Sequence, residues 1–342
     1  MSWIDLLRMS ASNLKRRKLR TFLTVLGVVI GTASIVVMVS LGLGLQKSVY
    51  DEMEQSGGLT TINVTGSGSV GDGMMHSSNS DNSDKSDEAS KYIDDNCVKK
   101  FGELEHVKAA APIYETSAIC LKGKYEGYIS LYASTPEGLR MRDIKLAAGG
   151  TFPKSGTGKL ELVYGNNVLT NFSERGNNSS GYWETGELPD IDLMKDSMFM
   201  ILDQDAYYNS QSSGGFQVDA GTDGKGTSNV PQSAKKHIVT ASGVVAGGVD
   251  DYNVNSYYVF CDLDTLKQIM KKEFKGRVIP GQPSTKSGKA YKEFYYSSAQ
   301  VKVDDMSNVN DVAKQIREMG YNVETNVEYM DSMKKQMAVI QA

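Results

Sequence analysis

Histidine, cysteine, tryptophan and proline are scarce in this 342-residue chain, with three, three, two and seven of each. Each scarcity removes a class of function. His76, His106 and His237 are scattered and form no HExxH, so a zincin-type centre has no ligand set. Cys97, Cys120 and Cys261 lie far apart with no CxxC, which leaves a structural zinc site unsupported. No G-x-x-x-x-G-K-[ST] occurs, so the chain brings no P-loop of its own, and no G-x-S-x-G elbow offers a serine nucleophile. Gly66, Gly68 and Gly71 have GxGxxG spacing after a strand, but Gly-Asp-Gly-Met-Met opens no helix there, and a dinucleotide site is rejected. Met74-Met75-His76 offers a soft-metal contact only within a polar loop, and two calcium-loop lookalikes fail. At the first, Val230 stands where a bidentate Glu is needed; the second, Asp203-Gln-Asp205, lacks the Gly. The expectation is a chain with no catalytic residue, no metal and no cofactor.

What the chain does have is one long stretch without an ionisable group. Phe22–Leu45 reads FLTVLGVVIGTASIVVMVSLGLGL. As a helix it reaches about 36 Å, more than the ~30 Å of bilayer hydrocarbon. A cleaved signal peptide has a shorter apolar core ending at a small-residue site, and a buried soluble helix is seldom charge-free for so long. The reading is therefore a transmembrane helix over 21–45. Lys15, Arg16, Arg17, Lys18 and Arg20 precede it and set the topology, with the N-terminus inside and the chain from about 46 outside. Residues 1–20 carry +5, so the rest of this −4 chain carries −9. A basic foot suits anionic lipid headgroups, and an acidic outer domain argues against nucleic acid as a partner. In that outer compartment one disulfide with a free thiol is open to the cysteines, but three buried unpaired thiols is the simpler expectation.

In order, residues 2–14 read as an amphipathic segment in the inner-leaflet interface, or as a plain cytoplasmic tail. Within the span, Gly27 and Gly31, then Ser40 and Gly44, give small-xxx-small spacing that lets a second helix approach. Leu41–Gln55 extends the helix as a stalk, which Gly57-Gly58 breaks. Leu59–Val64 is a first strand, followed by a Gly/Ser/Asn/Asp tract too polar to bury a core. Ala89, Tyr92, Ile93 and Val98 put a helix over Glu88–Phe101. A strand runs through Val107–Ile113, ending near Pro112, and a hairpin turns at Gly123-Lys124.

Residues 136–292 are mostly β and rich in loops, notably 173–188 and 209–233. Their strand candidates are Lys159–Val163, Ser197–Leu202, Lys236–Val245 and Tyr257–Cys261, with Leu263–Phe274 the one clear helix. Strand, helix and strand then return. Ala299, Val301 and Val303 alternate, Val309, Val312, Ala313, Ile316 and Met319 line one helical face, Gly320 stops it, and Tyr321–Val327 closes. Glu328–Ala342 is helical. The fold class is α+β: one transmembrane helix, then a two-part extracytoplasmic domain. A βαβ porter-like subdomain (56–135 with 293–327) carries an inserted, mostly-β subdomain (136–292), with stalks at 46–55 and 328–342.

Several stretches then match one family in order. They are LTTINVTGSG, LEHVKAAAPIY, ISLYASTPEGLRMRDIKLAAGGTF, KLELVYGNNVLTNF, KHIVTASGVVAG and SAQVKVDDMSNVNDVAKQIREMGY. Each is short and degenerate, and the specificity lies in their succession. The chain resembles the N-terminal half of MacB-type ABC transporter permeases of the FtsX-like superfamily. The resemblance implies a permease subunit in the cytoplasmic membrane, with a partner ABC ATPase subunit hydrolysing ATP inside. It further implies a second permease copy or a paired permease, and an extracytoplasmic adaptor protein as a further partner. Family members continue into three more membrane helices. The Ser/Gly/Asp-rich insertions at 66–90, 173–188 and 209–233 depart from the family. Motion would pass through stiff stalks touching through Leu43, Val49 and Met53 on one and Met333, Met337 and Ile340 on the other. The alternative reading is a single-span anchored protein whose outer domain captures or senses a ligand.

Overall fold

The computed structural model describes residues 3, 18–55, 57–68, 70–71, 91–177, 180–212, 234–285 and 287–341. The amphipathic reading of 2–14 thus falls outside the described residues except at Trp3, and so do Lys15, Arg16 and Arg17. Two compact units are distinguished, Met1–Glu52 with Gln336–Ala342, and Met53–Lys335.

The first unit is dominated by α1 (Lys18–Gln55), a single 38-residue helix about 57 Å long. Span and stalk are therefore one uninterrupted element. Its apolar side chains, Val28, Ile30, Val36 and Met38 among them, are exposed all round. The helix is long and apolar enough to cross a membrane. Lipid solvates such a surface, provided the polar side chains find partners within the helix. Thr24, Thr32 and Ser34 do, donating to the carbonyls of Arg20, Val28 and Ile30 at 3.0, 2.9 and 2.8 Å.

The second unit is built on a ten-stranded sheet. Its strands are β1 (Thr61–Thr65), β2 (Val107–Lys122), β3 (Tyr125–Ser134), β4 (Glu161–Tyr164) and β5 (Phe172–Glu174), then β6 (Met198–Ile201), β7 (His237–Val244), β8 (Tyr258–Asp262), β9 (Ser298–Val303) and β10 (Asn322–Thr325). The order β10-β1-β9-β2-β6-β7-β4-β8-β3-β5 has a further pairing between β2 and β3. That pairing closes a ring through β2, β6, β7, β4, β8 and β3. The first half of β2 pairs with β9 and its second half with β6, while β3 holds its other edge. Inside the ring Ala118, Cys120, Leu131, Leu162, Val259 and Cys261 are fully buried. Strands from both ends of the chain meet in β10-β1-β9-β2, with Ile62 opposite both Val301 and Thr325. The boundary expected after residue 135 falls just past β3, whose partners are β2, β5 and β8.

Over this sheet lie α2 (Asp95–Gly102) and α7 (Val309–Glu318), with Val98, Phe101, Val309, Val312, Ala313 and Ile316 buried. Gly320, at φ +87°, ends α7 as expected. The hairpin turns at Gly123-Lys124, with Lys122 opposite Tyr125. The helix α6 (Leu263–Glu273) starts at Asp262, whose carboxylate accepts from the Thr265 amide at 2.9 Å and from its hydroxyl at 2.6 Å. Asp262→Ala is expected to lower unfolding stability by about 1–2 kcal/mol, measured by urea titration.

Several expectations need correction. Of the helix expected over Glu88–Phe101, residues 88–90 lie outside the described residues, 91–94 are not helical, and the helix starts after Asp94, which caps it by accepting from the Cys97 amide at 2.8 Å. Ile93 is instead extended, bridging Tyr296. Pro112 does not end a strand, because β2 exchanges partners there: β9 pairs through Ile113 and β3 begins at Ile113. Leu263–Phe274 is not alone as a helix in the middle region. Short helices α3 (Pro136–Met141), α4 (Tyr182–Thr185) and α5 (Gln204–Ser212) join it. The loop expected at 173–188 begins as β5 and holds α4. Cys120 and Cys261 are buried, but Cys97 is only half-buried; all three are free. Burial pushes the Cys120 thiol up to about 12. The GxGxxG glycines have a packing role: a Cβ on Gly66 would lie 2.2 Å from the Lys91 carbonyl, and one on Gly71 2.2 Å from that of Glu115.

Candidate functional site

The chain enters and leaves the domain beside the same pair of strands. α1 runs out at Gln55, and the Gly58 amide donates to the Met53 carbonyl at 2.8 Å in a Schellman-like closure. Gly57 and Gly58 have φ of +110° and +78°, a conformation that side chains with a Cβ resist. Space excludes a Cβ at Gly57 as well: it would lie 2.8 Å from Thr61 Oγ1 and 3.2 Å from the Met141 carbonyl. Their carbonyls are then gripped from two sides. Lys302 Nζ on β9 donates to the Gly57 carbonyl and to Thr61 Oγ1. Asn326 Nδ2, at the head of α8 (Asn326–Gln341), donates to the Gly58 carbonyl at 2.9 Å.

The exit is bound in the same manner. Thr325 Oγ1 accepts from the Glu328 amide at 3.1 Å, and Arg317 Nη2 donates to both Glu328 carboxylate oxygens at 2.8 Å and to the Val323 carbonyl at 3.1 Å. Val327 and Met330 are buried beneath. Burial holds the Lys302 ammonium below its usual pKa, with Lys108 adding to the shift and Asp143 opposing it. A partly desolvated ammonium kept on two backbone-linked acceptors fixes geometry rather than performing proton chemistry.

Beside this junction stands a buried polar node. Arg142 directly follows Met141, whose carbonyl faces Gly57, and it is 7% exposed. Its Nε donates to Asn255 Oδ1 at 2.6 Å, and its guanidinium lies 4.5 Å from the Tyr132 ring centre and 5.2 Å from that of Tyr258. Glu115, opposite Tyr132 on β2, is 6% exposed, and one of its carboxylate oxygens has no hydrogen-bond partner. Burial raises its pKa, which the Arg142 charge partly offsets.

Of the expected stalk contacts, Leu43 is exposed, Val49 half-buried and Met53 buried, at 3%. The side chains of Met333, Met337 and Ile340 lie outside the described residues. A Cβ at Gly27, Gly31 or Gly44 would meet nothing within 4 Å, and Ser40 is exposed. Lys18 and Arg20 are exposed in the first turns of α1. Lys302, Asn326 and Arg142 were not singled out by the sequence. Lys302 falls between the inward Val301 and Val303, where alternation suggests solvent.

Residues 21–181 match the family model described as the MacB-like periplasmic core domain. A macrolide export ATP-binding/permease protein MacB of Campylobacter fetus is 30% identical over 146 residues, 43% of this chain and 21% of the relative. The protein of the same name from Vibrio parahaemolyticus is 41% identical over 71 residues, 21% of this chain and 11% of the relative. The chain thus spans about a fifth or less of these relatives' length. Among solved structures, the periplasmic region of MacB from Actinobacillus actinomycetemcomitans aligns at 10% identity with TM-score 0.42, covering 84% of this chain and 98% of that one. The extracellular domain of the transporter YknZ from Gram-positive bacteria aligns at 10% identity with TM-score 0.39, covering 78% of this chain and all of that one. Residues 21–181, a little under half of the chain, are thus similar to the MacB-like periplasmic core domain, the similarity beginning within the apolar N-terminal helix.

Proposed function

We infer that this chain is the N-terminal part of a transporter permease that passes work done by a partner ATPase in the cytoplasm to its extracytoplasmic domain, for export or envelope work. In this reading residues 1–20 stay inside, a second permease copy or a paired permease completes the membrane unit, and an adaptor meets the domain outside. The pieces 56–135 and 293–327 move as one body and carry 136–292 with them. One observation supports the reading above all others. The helix entering the domain and the helix leaving it are fastened at Gly57, Gly58, Lys302 and Asn326, so neither is a loose tether. A tether needs no such bonds, whereas a lever that transmits displacement must not slip at its root.

The test is Lys302→Met with Asn326→Ala in the complete transporter. Lys302→Met removes a half-buried charge along with its bonds, so domain stability should change by only about 1 kcal/mol. Export should fall several-fold while expression and ATPase binding persist. Unchanged export would refute transmission through this junction, whereas the absence of any export that depends on this chain would leave the anchored ligand-binding protein as the reading.

A further inference from the structure

The chain is acidic beyond its first helix, yet one cleft on the domain is basic. It holds ≈ 330 Å³ past the C-terminal end of α6, and Lys271, Lys275, Arg277 and Lys292 line it beside one acid, Glu293. Its floor is apolar: Phe274 and Phe294 are buried and Ile279 half-buried. The far wall is pinned by a reciprocal pair in which Gln282 Nε2 donates to the Tyr295 carbonyl at 2.8 Å and the Tyr295 amide to Gln282 Oε1 at 2.9 Å. Tyr114 adds a bond to the Pro280 carbonyl at 3.0 Å. Arg277 is held in place, donating from Nη2 to the buried Asp203 at 2.9 Å with its guanidinium 5.0 Å from the Phe274 ring centre.

Lys271 stands in the last turn of α6, where a cation complements the helix dipole. Lys275, Arg277 and Lys292 lie past the helix and have no such use. Among the described residues no carboxylate pairs with Lys271, Lys275 or Lys292. Cations gathered without partners around a fixed apolar floor repel one another, and an anion relieves that repulsion.

We propose that this cleft binds a phosphate-bearing amphiphile, its head held by Lys275, Arg277 and Lys292 and its apolar part laid on Phe274, Ile279 and Phe294. Free phosphate offers the same head without the apolar part. The test is calorimetric titration of the chain in neutral detergent with dihexanoyl phosphatidic acid, dihexanoyl phosphatidylcholine and inorganic phosphate. Phosphatidic acid should bind saturably and phosphatidylcholine far more weakly. Lys275→Gln with Lys292→Gln should weaken phosphatidic acid binding by about tenfold or more, as the loss of two charge-assisted contacts does. Lys99→Gln with Lys100→Gln makes the same charge change on the exposed side of α2 and should alter binding by less than about twofold. All four side chains are exposed, so both variants should keep the parent melting temperature. Phosphatidic acid binding more tightly than inorganic phosphate supports the amphiphile. Equal affinities, both lost in the cleft variant, show an anion site for free phosphate and overturn the amphiphile. Absence of saturable binding, or equal weakening in the two variants, overturns the site itself.

Discussion

Arg142→Met should lower the unfolding stability of the outer domain by about 3–5 kcal/mol at neutral pH, the usual cost of leaving a buried charge uncompensated. The guanidinium is buried among Tyr132, Tyr258 and Phe260, and its charge is what offsets the desolvation of Glu115. Without it, Glu115 keeps its unpartnered oxygen in a site with no cation, and Asn255 Oδ1 loses its donor. In a Glu115→Gln background the same substitution should cost less than half as much, because no charge remains to strand. Urea unfolding of the chain in detergent, as a double-mutant cycle, reads both values, and simple additivity would show that the two side chains do not communicate.

The pH dependence has a definite sign. The folded pKa of Glu115 lies above its ordinary value of 4.5, so the folded domain binds this proton more tightly than the unfolded chain does. That contribution is fully present below 4.5 and is lost as pH rises through the folded value. Glu115→Gln should therefore remove a decline in stability across that window, while carboxylates with lowered pKa, such as Asp94, keep their opposite trend.

Replacing Lys334-Lys335 by Gly-Gly should nearly abolish export by the complete transporter while leaving the outer domain folded. Both positions lie inside α8, beyond Met330, the last buried residue of that helix among the described side chains. Each Gly weakens the helix by roughly 1 kcal/mol relative to Ala. In the proposed reading a hinge there would absorb displacement that the bonds of Asn326 and Glu328 otherwise deliver to β10 and β1. Ala-Ala at the same positions restores helix propensity without the lysine charges and should keep export. Export retained in the Gly-Gly variant would show that α8 need not be stiff.

Local signals were legible where one element's own residues decide its state. The apolar face of α7, the Gly123-Lys124 turn and the helix break at Gly57-Gly58 all follow from spacing and glycine chemistry. Asp94 shows the limit. The spacing of Ala89, Tyr92, Ile93 and Val98 continued a helix through a residue whose side chain starts one, because Tyr296, some two hundred positions away, holds Ile93 extended. Ring closure was illegible for the same reason. It depends on β3 lying parallel to β8 and β4 to β7, and long-range register leaves no local trace. The junction was half legible: its glycines announce themselves, whereas Lys302 reads as an outward lysine. The carbonyl that engages it belongs to a residue 245 positions earlier.

The antiparallel pairing of β1 with β10 sets how the domain answers a pull. α1 delivers the chain to the start of β1 and α8 takes it from the end of β10, and Ile62 lies opposite Thr325 at that shared end. Tension applied there opens the ladder as a zipper, one rung at a time, rather than shearing all rungs together. Such a seam fails at its first rung, and just outside that rung Asn326 donates across it to the Gly58 carbonyl, while Lys302 holds Gly57 on one side and Arg317 holds Glu328 on the other. In the proposed reading a load held there would pass sideways through β9 into β2, and from β2 into the closed ring of strands.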